Sequence, residues 1–129
     1  SFNMIKCIYY CITGLNFNKW RNKMVYALNL FNFRESKEND YREYSVKAGK
    51  IIYGKGGQVI SSGSNPIRNI HGNTERRHMI IVEFPSEKIF QEFLDEAEKQ
   101  NIHPLRENST TDYIWTLYEP WNIKEWVKS

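Results

Sequence analysis

Apolar residues along the chain repeat with two periods, near two residues and near 3.6, in an order that predicts strands and helices. Both periods occur in the segment 77–97, RHMIIVEFPSEKIFQEFLDEA. Residues 78–84 alternate as a strand with mostly apolar side chains on both faces, and Pro85 ends the strand because it lacks an N–H. Ser86 is a favourable N-cap for a helix over 87–99, where apolar residues recur at helical spacing.

The remaining elements follow from the same two patterns and from turn residues. They are a strand at 24–33, a helix at 37–53, strands at 58–62 and 112–118, a polar connection at 63–74, a loop at 103–111, and a short terminal helix or tail at 121–127. Ser36 is the expected cap of the first helix, and Gly54 is its expected stop. Part of the polar connection can extend the flanking strands as a hairpin.

The predicted order from residue 24 is β-α-β-β-α-β, which indicates an α+β fold of the ferredoxin-like type. In that fold an antiparallel four-stranded sheet carries two helices on one face. The other face would present apolar residues such as Met79 and Ile81. Since a monomer rarely leaves such a patch bare, a ligand, an RNA or a second copy should cover it. We expect a homodimer packed sheet face to sheet face.

Charge divides the chain into three expected parts. Residues 1–23 carry four basic side chains and no acid, whereas 24–129 carry 14 basic and 15 acidic residues. We interpret 1–23 as an N-terminal extension and leave two explanations open: an artificially added segment that includes residues 1–3, or an upstream start with Met24 as an alternative natural start. The ferredoxin-like domain is expected at 24–119, with a tail at 120–129. The nearly neutral body argues against nucleic-acid binding, and the aliphatic strand RHMIIVEF lacks the stacking aromatics that RNA recognition requires.

Cysteine, histidine and hydropathy patterns exclude several other classes of protein. Cys7 and Cys11 stand four residues apart, a spacing unsuited to a disulfide framework or a zinc site, so we interpret them as free thiols in a reducing cytoplasm. His71, His78 and His103 are scattered, and we predict no metal site and no cofactor. No apolar run approaches the roughly 20 residues of a membrane span, so no membrane partner is expected.

Three segments in combination resemble a known family. They are YREYSVKAGKIIYGKGGQVISSG, RRHMIIVEFPSEKIFQEFL and HPLRENSTTDYIWTLYE, and together they lie within 24–119. They are similar to a family of small bacterial proteins known as domain of unknown function thirteen-thirty, in the dimeric α+β barrel superfamily. The resemblance implies a ferredoxin-like fold and dimerisation. That superfamily includes cofactor-independent monooxygenases, haem-degrading enzymes, muconolactone isomerases and chlorite dismutases, which is an analogy of fold only.

Two polar residues interrupt apolar strands and are the candidate catalytic pair. Asn29 and Glu83 lie on the first and third strands, which are adjacent in this topology. If both face away from the helices, they meet inside the barrel. Glu83 would then be a general base with a pKa raised by burial, and Asn29 would orient a carbonyl or an oxyanion. The alternative is structural, with the two bonded to each other, to an arginine or to water at the dimer interface.

The candidate substrate-binding residues are His103, Arg106 and Tyr44. His103 and Arg106 belong to the predicted loop before the last strand, where an arginine at the barrel mouth would clamp a carboxylate. The alternative is surface charge, with Arg106 paired locally to Glu107. Tyr41 and Tyr44 recur on the apolar side of the first helix and are interpreted first as core residues, although Tyr44 is retained as a candidate contact.

Two classes of function remain open from the sequence. The first is a small cofactor-independent enzyme acting on a small carbonyl or aromatic compound by proton transfer or oxygenation. The second is a non-catalytic small-molecule-binding or structural homodimer. The sequence does not decide between an enzyme and a binding protein, and it does not name a substrate.

Overall fold

The computed structural model describes residues 23–73 and 75–129. In chain order the elements are β1 (Val25–Phe33), α1 (Glu38–Gly54), β2 (Gln58–Ser64), β3 (His78–Phe84), α2 (Glu87–Lys99), α3 (His103–Ser109), β4 (Thr110–Tyr118) and α4 (Ile123–Lys128). Apart from Lys23, the predicted N-terminal extension lies outside the described residues.

The strands form one antiparallel sheet in the order β2-β3-β1-β4. This order places β1 and β3 side by side in the centre, as the predicted ferredoxin-like α+β topology requires. The β2–β3 hairpin continues as far as the pair Ser64 and His78, so the strands extend into the polar connection. The Asn32 side chain anchors the chain just after that connection. It donates a hydrogen bond to Glu75 O at 2.9 Å and accepts one from Arg77 N at 2.8 Å.

One face of the sheet forms the core against the helices. Ala27 and Phe31 of β1 and Val82 and Phe84 of β3 are buried there, as the alternation of a strand predicts. Phe93 of α2 is 1% exposed and packs with its ring centroid 5.6 Å from that of Phe84. Burying each such aromatic side chain contributes about 1.5–3 kcal/mol, which makes this layer the main source of stability.

The two long helices begin differently. Ser86 caps α2 as predicted, because its hydroxyl accepts a hydrogen bond from Ile89 N at 3.0 Å. The prediction that Ser36 caps α1 is wrong: Ser36 has a φ of +64° and Lys37 is the N-cap, with no side-chain hydrogen bond. Glu38 and Asp40 lie in the first turn of α1, where their negative charges interact favourably with the helix dipole and stabilise the start of the helix.

The turn from α1 to β2 depends on a close backbone approach at Gly57. A Cβ at this position would lie 2.8 Å from the Ile52 side chain and 3.0 Å from the carbonyl oxygen of Glu83. Any larger residue would therefore push β2 away from β3. Gly56 just before it has a φ of +87°, a conformation that glycine adopts without strain.

The segment before β4 is helical, so the predicted loop at 103–111 is wrong for most of its length. Residues His103–Ser109 form α3, and Pro104 fits because it lies in the first turn, where its missing N–H costs nothing. β4 then starts at Thr110, two residues earlier than predicted. A register shift interrupts its pairing with β1, and Asp112 lies there with a φ of +55°.

The second face of the sheet, here called the open face, points away from the core. On β1, β3 and β4 its side chains are Tyr26, Leu28, Leu30, Met79, Ile81, Glu83, Ile114, Thr116 and Tyr118. Leu28 pairs with Ile81, and Leu30 pairs with both Met79 and Ile114, which makes a contiguous apolar centre. Each helix within 23–73 and 75–129 is too short or too polar to cross a membrane.

Candidate functional site

A cavity of about 240 Å³ lies between α1 and the core face of the sheet. We call it the helix–sheet cavity. It is lined by Ala27, Asn29, Tyr41, Tyr44, Ser45, Ala48, Gly49, Ile52, Tyr53, Val59, Ser62, Ile80, Val82, Phe84, Phe93, Tyr113 and Trp115. The lining residues that are exposed to solvent are Ser45 and Tyr53 of α1 and Val59 and Ser62 of β2. The mouth therefore lies at the β2 edge of the sheet, and the aromatic rings form the inner wall.

Asn29 is a polar residue inside this apolar layer and is 5% exposed. Its Nδ2 lies 3.3 Å from Ala27 O and 3.4 Å from Ile80 O, so this end of the amide must be the donor. Its Oδ1 accepts a 2.6 Å hydrogen bond from the Tyr113 hydroxyl. A buried amide satisfied in this way costs little, and it fixes the Tyr113 ring in the cavity wall.

Glu83 lies on the opposite side of the sheet from Asn29. Asn29 pairs with Ile80 on the core face, whereas Glu83 pairs with Tyr26 on the open face. The carboxylate accepts from Gln58 Nε2 at 3.2 Å, a contact across neighbouring strands. The prediction that Glu83 and Asn29 share one pocket is therefore wrong, and a role for Glu83 as general base in the helix–sheet cavity is excluded.

Three tyrosines line the inner wall, of which Tyr41 and Tyr44 are buried and Tyr113 is half-buried. Tyr41 and Tyr44 come from α1, and Tyr113 comes from β4. Burial is the main reason that the pKa of each phenol is raised, and it brings the pKa of Tyr44 to about 12. All three therefore keep their protons at neutral pH and can act as hydrogen-bond donors.

Arg106 lies behind the aromatic wall, so its predicted place at the mouth is wrong. Its side chain is 14% exposed, and its guanidinium carbon lies 4.9 Å from the Tyr113 ring centroid and 5.0 Å from that of Trp115. It also forms an ion pair with Glu107, with a nitrogen–oxygen distance of 3.6 Å. The local Arg–Glu pair named as the alternative is thus present, but the arginine is mostly buried.

The other residues singled out from the sequence divide between the site and its surroundings. Tyr44 lines the cavity, whereas His103 does not, and His103 Nδ1 is buried without a partner in the described part of the chain. Within 23–73 and 75–129, no group of three His, Cys, Asp or Glu side chains is arranged to hold a metal ion.

The residues that sequence reasoning missed are Tyr113, Trp115 and Gly49. The first two alternate in DYIWTLY, which signals one shared strand face but does not identify the face. Gly49 carries a clearer signal, because a glycine in the interior of a helix costs about 0.5–1 kcal/mol relative to alanine. A Cβ built at Gly49 meets nothing within 4 Å, so close packing does not require this glycine.

Alkaline pH is expected to destabilise the fold through these tyrosines. Between pH 10.0 and about 12 the unfolded chain releases the Tyr44 proton while the folded chain retains it. The stability that is fully present below pH 10.0 is therefore lost toward pH 12, by roughly 3 kcal/mol for this residue. The free energy of unfolding, measured with urea across that pH window, should decline less steeply for Tyr44→Phe than for the wild type. Tyr118→Phe, at a position 53% exposed, should keep the full decline.

Comparisons with known proteins agree with this architecture. The family described as "Domain of unknown function (DUF1330)" matches residues 25–117. The chain matches none of the curated proteins with which it was compared. A protein of unknown function from Rhodopseudomonas palustris has a similar structure, with a TM-score of 0.70 and 21% identity over 79% of this chain and 85% of that one.

Two further solved structures share the fold at lower identity. SnoaB, a cofactor-independent oxygenase from Streptomyces nogalater, has a TM-score of 0.54 and 10% identity over 78% of this chain and 95% of its own. A dimeric protein of unknown function with a ferredoxin-like fold from Bacteroides fragilis has a TM-score of 0.50 and 12% identity, over 75% and 96% of the two chains. Because the family match spans most of the described domain, this chain belongs to the DUF1330 family.

Proposed function

We propose that this protein binds a small aromatic compound in the helix–sheet cavity. The observation that carries the proposal is an open cavity of about 240 Å³ whose inner wall combines aromatic rings with tyrosine hydroxyls. Ligand sites in proteins are typically concave, mostly apolar and supplied with a few placed polar groups. The volume suits a ligand of one or two rings.

The walls of the cavity favour a flat, mostly neutral ligand. Phe84, Phe93 and Trp115 supply apolar surface, and rings can stack or meet edge to face there. No Asp, Glu, Lys, Arg or His side chain of the described residues lines the cavity. A charged ligand would lose its hydration without gaining an ion pair, which costs several kcal/mol.

The same proposal includes a homodimer that buries the open face. Leu28, Leu30, Met79, Ile81 and Ile114 are each partly exposed and adjacent in the sheet register. Exposed apolar patches of this kind mark interaction surfaces. The B. fragilis structure with the same fold is described as dimeric. Covering the open face would leave the mouth of the helix–sheet cavity, at the β2 edge on the core side, free for a ligand.

A catalytic role is the second candidate, and one observation favours it. Tyrosine hydroxyls that stay protonated at neutral pH can stabilise an oxyanion that forms on a bound carbonyl compound. SnoaB, which shares the fold, is described as a cofactor-independent oxygenase. With no carboxylate or histidine lining the described cavity, binding is the better-supported function and is the one tested first.

A substitution at Gly49 tests the proposal directly. Leucine at this position would point into the space at the cavity mouth, since a Cβ there meets no atom within 4 Å. Gly49→Leu should keep or slightly raise stability, because leucine favours a helix by roughly 1 kcal/mol over glycine. It should weaken binding of 2-acetonaphthone, a two-ring aryl ketone, roughly 10- to 100-fold as measured by titration calorimetry.

Gly54→Leu is the matched control for that experiment. Gly54 is also a glycine of α1 with open space around a built Cβ, but it does not line the helix–sheet cavity. Binding of 2-acetonaphthone should be unchanged in this variant. Equal binding by Gly49→Leu and wild type, or no binding of any one- or two-ring aromatic compound by the wild type, would overturn the proposed function.

A further inference from the structure

The mouth of the helix–sheet cavity is a slot between two walls that run side by side. Ser45, Gly49 and Tyr53 recur every four residues, so they lie along one side of α1. Val59 and Ser62 line the other wall from β2, the edge strand of the sheet. Because the chain turns back directly after α1, Tyr53 and Val59 meet at the turn end of the slot, and the two serines lie toward its other end.

Tyr53 bridges the two walls at the turn end. Its hydroxyl accepts a hydrogen bond from the backbone N–H of Val59, with a nitrogen–oxygen distance of 3.3 Å. This N–H is available because β2 is an edge strand, whose outer side has no neighbouring strand within the described sheet. Tyr53 also lines the cavity, so its ring stands in the mouth and narrows the opening.

Tyr53 differs from the other aromatic residues of the lining in its exposure. It is 58% exposed, whereas the rings of the inner wall are buried or half-buried. Tyr41, for comparison, packs against Phe31 and Phe33 with ring centroids 4.8 and 5.3 Å apart. Tyr53 makes no such ring contact with a described residue, and exposed side chains change rotamer within nanoseconds. The ring can therefore leave Val59 without disturbing the core.

The donor of this hydrogen bond, in contrast, is fixed in place. Val59 pairs with Val82 in the β2–β3 ladder, and the close approach of Gly57 to Glu83 O holds the start of β2 against β3. A single hydrogen bond between a fixed donor and a mobile, exposed acceptor favours the bonded position by a factor of roughly 2 to 10. Both a narrow and a wide form of the mouth should thus be populated.

We propose that Tyr53 is the gate of the helix–sheet cavity and selects ligands by their width. While Tyr53 is bonded to Val59, a one-ring compound can pass beside Gly49, where the wall carries no side chain and has open space. When the ring is released, a two-ring compound can enter as well. This inference rests on the proposed function and adds a specificity-determining residue to it.

The test measures the binding rates of two ketones that differ by one ring, acetophenone and 2-acetonaphthone. Quenching of Trp115 fluorescence in a stopped-flow instrument reports their entry, because Trp115 lines the cavity. Tyr53→Phe keeps the ring and removes the hydroxyl, so the bonded position loses its advantage. The association and dissociation rate constants of 2-acetonaphthone should both rise roughly threefold, in proportion to the population of the wide form. Those of acetophenone should stay at their wild-type values.

The pattern of the two rate constants identifies a gate. Ligands enter and leave through the same wide form, so both constants rise by a similar factor and the dissociation constant changes less than either. A residue that only contacts the ligand would change mainly the dissociation rate constant, and a tyrosine that only covers the strand edge would change stability and neither rate constant. Tyr118→Phe is the matched control, since Tyr118 is 53% exposed and does not line the cavity. Its rate constants should equal those of the wild type.

The two proposals fail in different ways. If 2-acetonaphthone binds the wild type and Tyr53→Phe leaves its rate constants unchanged, or accelerates both ketones equally, the gate is overturned and the cavity remains a binding site. Tyr53→Leu also lacks the hydroxyl and should accelerate 2-acetonaphthone in the same way, so the test does not depend on the folding of one variant. If neither ketone binds the wild type, the proposed function fails and this inference fails with it.

Discussion

Asn29→Asp is expected to lower the free energy of unfolding by about 3–5 kcal/mol at neutral pH, because the substitution places an unpaired acceptor or charge in the core. The new oxygen would replace an amide nitrogen that lies 3.3 Å from Ala27 O and 3.4 Å from Ile80 O. Two carbonyls and a carboxylate oxygen repel one another at that distance. The other oxygen could still accept from Tyr113, which offsets only part of the loss.

The pH dependence of this variant has a definite sign. Burial should raise the pKa of the introduced carboxyl above its unfolded value of about 3.9. The loss of stability is therefore complete above the pKa of this carboxyl in the folded protein. It becomes smaller as the pH falls toward about 3.9, because a protonated carboxyl can donate a hydrogen bond to a backbone carbonyl. Chemical unfolding from neutral pH down to about pH 4 measures both the deficit and its recovery.

Asn39→Asp provides the control for the same change of side chain. Asn39 is exposed in the first turn of α1 and accepts from Arg42, so a carboxylate is favoured there by the helix dipole. The free energy of unfolding of Asn39→Asp should rise by less than about 1 kcal/mol. An Asn29→Asp protein as stable as the wild type would show that the amide is not enclosed as described.

The fold could be predicted from the sequence because its signals are local. Alternating apolar residues located β3 at 78–84 and helical spacing located α2 at 87–99, and both bounds agree with the structure. The order of strands and helices along the chain is then compatible with only a few sheet topologies. The α3 helix was missed because a seven-residue helix is too short to show a period, and Pro104 within it is a turn signal in most contexts.

The site was harder to predict because it depends on strand register. Asn29 was a correct choice as a buried polar residue, but apolar residues fill both faces of β1 and conceal which face it occupies. Glu83 was predicted on the correct face of the sheet, but the prediction that it lies beside Asn29 was wrong. Tyr113 reaches the cavity wall from β4, and Arg106 packs behind that wall from α3. This convergence cannot be read from spacing along the chain.

Leu28→Lys is expected to convert the proposed homodimer into a monomer. Leu28 lies in the apolar centre of the open face, paired with Ile81 and Thr116. In a two-fold dimer the substitution occurs once in each protomer, so two ammonium groups would be buried in the same interface without partners. The dissociation constant should rise at least 100-fold, since desolvating an unpaired charge costs several kcal/mol.

Sedimentation equilibrium over a range of concentrations measures this change, with one chain contributing 15.4 kDa. Val46→Lys is the matched control. Val46 is 55% exposed on α1, so this substitution adds the same charge outside the proposed interface. It should leave the dimer intact. Since the open face and the helix–sheet cavity lie on opposite sides of the sheet, monomeric Leu28→Lys should still bind 2-acetonaphthone. A wild-type protein that sediments as a monomer at micromolar concentration would contradict the dimer while leaving the cavity untouched.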